Sequence, residues 1–551
     1  MTNMREVNFE KPSFEDWKEA AIVALKGKPF ESLFTKTIEG ITLQPLYTSE
    51  SLLDEVDGKL EQQISTIRSM KADGAFGVAQ EAFGDTIEDV VAQSKDAILR
   101  GNEFVTIGKV NFAWDKDALQ QLATLLSDHP FRINVADRAV LGVFDYVENK
   151  DQFGYIQSSD MISLPEFPNV RTVNAYTLDA HYSGATSTQE LAIALAQTAD
   201  LLKNSSFEEL EHKFFASFAI DTHFFMAVAK IRAFRLLWKA FASAYGVTSP
   251  LPVKIVAETS LRSYSKLDVY VNLLRAGNEA FSAVIGGADV LTVHPHNIIT
   301  APTNQSVRIA RNTALVIKEE SHVTKVMDPA GGSYFIETLT HELVENAWAY
   351  FLEIEEAGGY LAAQAKIEKD LDASWAERLS NVQTRKTVLV GTNNYADATE
   401  QVPTESFVDV NRLATSFENL RTAFKEQPMT TAILTFGTLK STKPRTDFVN
   451  GVLATAGLVP EITEPTADIE VAKDYLKNTT ADYVVIVATD EDAMMIVEQL
   501  IAVKSPQTIV DVAGKFNTDW TAKGLNGYVY AGINVFEKLS AVHASTKEVL
   551  K

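Results

Sequence analysis

Cysteine is absent from all 551 residues. Disulfides, thiolate metal sites, iron–sulfur clusters and cysteine nucleophiles are therefore excluded. The absence suits a reducing compartment, and a cytoplasmic location is the expectation. Positive charge is scarce: 50 Lys and Arg stand against 73 Asp and Glu, a net charge of −23. Nucleic acid and anionic membrane surfaces reward clustered Lys and Arg, so neither is expected as a partner. No apolar run is long enough to span a membrane. The opening MTNMREVNFEKPSFEDW carries acids where a secretory signal would carry an apolar stretch. Phosphate-cradling motifs are missing as well. With no GxxxxGK[ST], and no GxGxxG between a strand and a helix, ATP and NAD sites have no support.

What is present is globular. The chain is 46% hydrophobic and 22% charged, an ordinary balance for a packed protein. Its length predicts at least two domains. Residues 1–48 read as an arm. PSFEDWKEAAIVALKGKPFESL gives one short amphipathic helix with Trp17, Ala20, Ala21, Val23, Ala24 and Leu25 supplying its stripe, punctuated by Gly27 and Pro29. FTKTIEGITLQPLYT follows as extended chain. Two uses are open to the arm: packing on its own core, or wrapping a partner.

Residues 49–386 alternate strand and helix. FVTIG, FRINVA, VRTVNAYT, FFASFAID, VKIVAET, DVLTVH and VTKVMDP read as strands, each followed by a helical pattern. They are short, apolar and β-branched, as parallel strands buried on both faces must be. Seven or eight such units predict an α/β fold of the (β/α)8 TIM-barrel type, with an open doubly wound sheet as the alternative. Residues 387–428 lose the rhythm and read as a linker. Residues 429–551 hold five further βα units, which predicts a flavodoxin-like domain. Its first junction, AILTFGTLKSTKPRTDF, reads as a strand, the loop GTLKSTKPR and a helix from Asp447. In such folds that loop usually holds the ligand, yet it carries no His, no glycine cradle and no carboxylate before Asp447.

Few residues carry chemistry. His181 and Tyr182, in DAHYSGAT, follow a strand directly, where a barrel places an acid–base group; a structural, hydrogen-bonded His is the competing reading. His294 and His296, in VHPHN, have metal-ligand spacing, but no nearby carboxylate completes a set. HELVEN lacks the second His of HExxH, with Asn346 in its place. Arg232, Arg235, Arg308 and Arg311 lie on helices. They could attract a phosphate-rich ligand such as a coenzyme A tail, or form ion pairs on the outer helices.

The runs EGITLQPLYT, SGATSTQELA, FFMAVAKIRAFRLLW, ETSLRSYSKLDVYVNLLRAGNEAFSAVIGGADVL, SVRIARNTALVIKEES, DPAGGSYFIETLT and VGTNNY resemble the methylmalonyl-CoA mutase family, in family order. The resemblance implies an arm, a barrel that threads a coenzyme A ester, and a flavodoxin-like domain for adenosylcobalamin, together converting methylmalonyl-CoA to succinyl-CoA by a radical route. The departures are specific. The family places a cobalt-ligating His in D-x-H-x-x-G after the first strand of its last domain; here Thr438, Leu439 and Lys440 stand in that loop. Of the nine histidines, only His543 lies in this domain, in its final helix. Acids in ATDED replace small neutral residues, and the family's tyrosine-bearing RG…TMYT…PW segment has no counterpart between Tyr47 and Gly101. Where the family writes YHMQEAGA, this chain has Tyr176 followed by Thr177; His294 does match the family's LHTN. By that resemblance this is the small, non-catalytic subunit of a heterodimer. It binds no cofactor or metal itself and stabilises a large subunit that carries the adenosylcobalamin, with Trp17, Phe30 and Phe34 as arm contacts. Two alternatives remain: a self-sufficient acyl-CoA mutase receiving cobalamin in trans or base-on, and a metal-dependent hydrolase built on His181, His294 and His296.

Overall fold

A computed structural model describes residues 12–160 and 162–549; the first eleven residues of the expected arm lie outside it. Helix α1 (Phe14–Ala24) starts at a capping box, in which Ser13 and Asp16 satisfy each other's backbone N–H. The chain then makes a two-stranded antiparallel hairpin, Thr35–Lys36 against Thr42–Leu43.

Eight consecutive parallel strands follow. They are β1 (Gly77–Val78 and Glu81–Gly84), β2 (Val105–Val110), β3 (Phe131–Asn134), β4 (Gly154–Gln157), β5 (Val170–Arg171 and Val173–Tyr176), β6 (Phe214–Ile220), β7 (Ile255–Thr259) and β8 (Val290–Thr292). Their hydrogen bonds form two five-stranded sheets. Both halves of β1 and of β5 belong to different sheets, so the pairing passes from one sheet to the other through them. β8 pairs with β1, Val290 opposite Gly77, and the neighbour relations close into a circuit.

Alternation along each strand sorts the side chains. Phe131 and Ile133 point outward against the helices, as do Phe214, Phe218, Ile255 and Ala257. Between them Arg132, Tyr155, Gln157, Phe215, Val256 and Glu258 turn inward. Phe104, Tyr155, Phe215, Val256 and Val290 pack together as one inner layer.

Two of these strands have no clear signature in the sequence. The halves of β1 are very short, and β4 is four residues opening on Gly154. A Cβ on Gly154 would lie 2.3 Å from the Phe131 ring, so a residue that reads as a turn is required for packing. Conversely, VTKVMDP is not a strand. Val323–Lys325 is a 3-10 turn, because the circuit is already closed by β8 and leaves no edge to join.

The C-terminal part holds β9 (Thr431–Thr435), β10 (Glu461–Ile462), β11 (Tyr483–Val487), β12 (Ile509–Ala513) and β13 (Gly527–Val529), all parallel, in spatial order 10-9-11-12-13. The α/β expectation holds across the described residues. One local expectation is corrected here. The segment GTLKSTKPR is mostly helix: α-helical structure begins at Leu439 and runs to Thr455, capped reciprocally by Thr438 and Ser441. Pro444 lies in its second turn and leaves the Lys440 carbonyl without its helical donor. The true loop is Phe436–Thr438.

Candidate functional site at the carboxyl ends of the strands

Functional side chains are expected at the carboxyl ends of parallel strands. The structure places two charged clusters there. In the first, His181 is fully buried between two partners: Nδ1 lies 2.8 Å from Glu190 Oε1, and Nε2 lies 2.7 Å from Ser260 Oγ. Glu190 also takes a hydrogen bond from Lys230 at 2.9 Å. Burial, and then the neighbouring Arg262 cation, lower the His181 pKa to about 4, against the pull of Glu190. For Glu190, Lys230 and His181 outweigh the cost of burial and hold it at about 2. His181 is thus a neutral imidazole with both nitrogens engaged. Tyr182, beside it, accepts a hydrogen bond from the Leu261 backbone at 3.3 Å, and burial raises its phenol well above the ordinary value. Neither group has a free proton acceptor facing an open site. Arg262 knits the cluster together. It donates to the carbonyls of His181 and Ala185 and forms an ion pair with Asp221 at 2.5 Å.

The second cluster fills the ring itself. Arg132 of β3 pairs with Glu258 of β7 and also donates to Gln157 of β4 and Thr292 of β8. His294, just past β8, lies 3.4 Å from Glu81 and 3.6 Å from Glu258. Burial disfavours its charge, but Glu258 and Glu81 together outweigh it and raise its pKa to about 9. His294 is therefore an imidazolium at neutral pH. His296 does not join it; its ring stacks on Tyr270 at 5.3 Å. Among the described residues no group of three or more His, Asp or Glu is arranged to hold a metal ion.

The four helical arginines divide. Arg232 pairs with Asp328 and Glu337, and Arg235 with Asp289, as structural ion pairs. Arg308 and Arg311 form no ion pair among the described residues. Sequence reasoning missed Arg132, Glu190, Lys230, Glu258 and Arg262. Arg132 did leave a signal, as a lone charge inside the apolar strand FRIN. Its partner, 126 residues away, is likewise a lone charge in the strand IVAET, but nothing local pairs the two.

At the end of the C-terminal sheet, the crevice between β9 and β11 is where the strand order reverses and a ligand would enter. Arg445 reaches across it. Its guanidinium donates to the carbonyls of Ala488 at 2.6 Å and Ala513 at 3.3 Å, and pairs with Asp490.

Comparison with known proteins places the chain in a family. A family profile described as methylmalonyl-CoA mutase matches residues 151–442. A methylmalonyl-CoA mutase small subunit of Porphyromonas gingivalis is 29% identical, with 97% of each chain covered. A methylmalonyl-CoA mutase of Cereibacter sphaeroides is 30% identical over 72% of this chain and 66% of its own. A probable methylmalonyl-CoA mutase small subunit of Mycobacterium bovis is 34% identical over 52% of this chain and 50% of its own. The family profile covers more than half of the sequence, and the chain belongs to the methylmalonyl-CoA mutase family.

Proposed function

We propose that this chain is the small subunit of a heterodimeric methylmalonyl-CoA mutase. It pairs with a large subunit that carries adenosylcobalamin and isomerises methylmalonyl-CoA to succinyl-CoA, and it is itself non-catalytic. We read residues 49–386 as a (β/α)8 barrel, because the strand circuit is closed and parallel. We read 429–551 as a degenerate flavodoxin-like domain, because its strand order is that of such folds, and 387–428 as the linker.

The observation that carries the reading is that the ring has no open axis. Phe104, Tyr155 and Phe215 pack into one layer, with Tyr155 and Phe215 at 5.2 Å. Above it, Arg132 and Glu258 join opposite walls. A coenzyme A ester threading this axis would have to displace both layers. Displacing the aromatic layer alone would forfeit roughly 1.5–3 kcal/mol of burial per ring.

Cobalamin fares no better. The residues present do not fit it: Arg445 fills the crevice with its own hydrogen bonds, and the domain's first loop offers Gly437 and Thr438 where an imidazole would be needed. A kept fold with filled sites suits a partner-stabilising role, since fold and site are separable.

The test is to purify the chain alone and with a co-expressed large subunit. The expected outcome is a stable complex, with mutase turnover and stoichiometric cobalamin only when the large subunit is present. Turnover of methylmalonyl-CoA by the isolated chain plus cofactor would overturn the reading in favour of a self-sufficient enzyme.

A further inference from the structure

A further groove lies away from both clusters. It is about 960 Å³ and opens between helix α2 (Ile87–Leu99) and the helix Asn304–Glu319, the first and last helices flanking the ring. Phe83 forms part of its floor and Phe407 part of its rim, meeting edge to face at 5.7 Å. A volume of this size suits a small organic ligand.

Three Asp and three Arg line it, yet two of the arginines form no ion pair among the described residues. Arg308 and Arg311, one turn apart, both line the groove. Arg311 is only 4% exposed, and its Nε has no hydrogen-bond partner. Other deeply buried arginines are closed: Arg132 by Glu258, Arg232 by Asp328 and Glu337, Arg262 by Asp221, and Arg421 by the carbonyls of Glu400, Ala454 and Thr455. The carboxylates lining this groove are already engaged. Asp96 holds Arg100 at 2.8 Å, Asp85 accepts from Asn111 at 2.7 Å, and Asp89 accepts from the Thr86 hydroxyl at 3.0 Å. The amino end of the helix Asn304–Glu319 also opens into the groove, with no acidic residue in its first turn.

A buried guanidinium nitrogen left without an acceptor is unfavourable. A phosphate removes that cost, because its oxygens match the planar fork and the helix terminus adds a favourable dipole. We propose that this groove binds a small phosphate ester, its phosphate held by Arg308, Arg311 and the helix amino end, its organic part against Phe83 and Phe407.

The experiment is calorimetric titration of the full chain with inorganic phosphate, pyrophosphate and phenyl phosphate at matched ionic strength. Phenyl phosphate is expected to bind saturably and at least tenfold tighter than inorganic phosphate, and R311M should abolish this. R308M, at an exposed position that leaves the fold intact, should weaken it tenfold or more. Absence of saturable binding, equal affinity for inorganic phosphate and the ester, or binding unchanged in R308M would overturn the proposal. Loss of large-subunit association in R308M with phosphate-ester binding intact would likewise overturn it, in favour of protein docking.

Discussion

Arg132 on β3 and Glu258 on β7 form an ion pair across the width of the ring, from strands that stand opposite each other in the circuit. Both side chains are almost completely buried. Such a pair ties the two walls together: without Arg132, Glu258 keeps only the more distant His294 at 3.6 Å, and without Glu258, Arg132 keeps only the neutral Gln157 and Thr292. R132M is expected to destabilise the chain by about 3–5 kcal/mol in urea unfolding. The double variant R132M/E258M should recover most of that loss, because no unpaired charge remains. A double variant as unstable as R132M would show that Arg132 matters for shape rather than charge.

The two strand-end histidines impose opposite pH dependences. His294 has its folded pKa raised from 6.5 to about 9. Its contribution to stability is fully present below pH 6.5 and is lost as pH rises through 9, amounting to roughly 3 kcal/mol. His181 has its folded pKa lowered from 6.5 to about 4. Between those values the unfolded chain binds more protons, so stability falls as pH drops from 6.5 to 4. Urea midpoints should therefore peak near neutrality. H294Q should flatten the alkaline limb only, and H181N the acid limb only. A limb that persists in its matching variant would assign it to other groups.

The sequence carried most of the fold because parallel strands buried on both faces leave β-branched runs, as in YVVIV at Tyr483–Val487. It hid strands whose residues answer to distant neighbours. Gly154 is glycine because the Phe131 ring occupies the space a Cβ would need. VTKVMDP has strand composition but no edge to pair with. The site was less legible still. His181 and His294 stand out as rare residues at strand ends, yet their states are set by Glu190, Arg262, Glu81 and Glu258. These residues are contributed by separate strands and helices, and no local pattern announces them. The junction after β9 misled in another way. GTLKSTKPR reads as a loop, while the Thr438 and Ser441 cap has already started a helix.

Arg445 closes the crevice of the C-terminal sheet by bonding to two strand-end carbonyls. R445A would release the carbonyls of Ala488 and Ala513 to water and free Asp490. The crevice is half-exposed at this point, so the expected loss is modest, about 1–2 kcal/mol. The sharper readout is local. Amide hydrogen exchange should accelerate around residues 488–492 and 513–516 while the ring strands keep their protection. Unchanged exchange in both segments would mean that the crevice is held shut by its backbone alone.

The arm offers a surface rather than a core. Helix α1 has no buried residue, and its aromatic side chains pack mainly on one another: Phe14 on Trp17 at 5.4 Å, Trp17 on Phe30 at 6.0 Å, Phe30 on Phe34 at 5.6 Å. A chain of half-buried rings with so little beneath it contributes little to the stability of its own fold. It does supply the rigid aromatic area that dominates protein interfaces. W17A and F30A should leave the urea midpoint of the free chain essentially unchanged, within about 0.5 kcal/mol. Each should weaken association with the large subunit by about 10- to 100-fold, the size expected when an aromatic anchor is truncated. Binding to an immobilised large subunit measures this directly. Full affinity in both variants, or a large fall in the stability of the free chain, would place the arm on its own subunit instead.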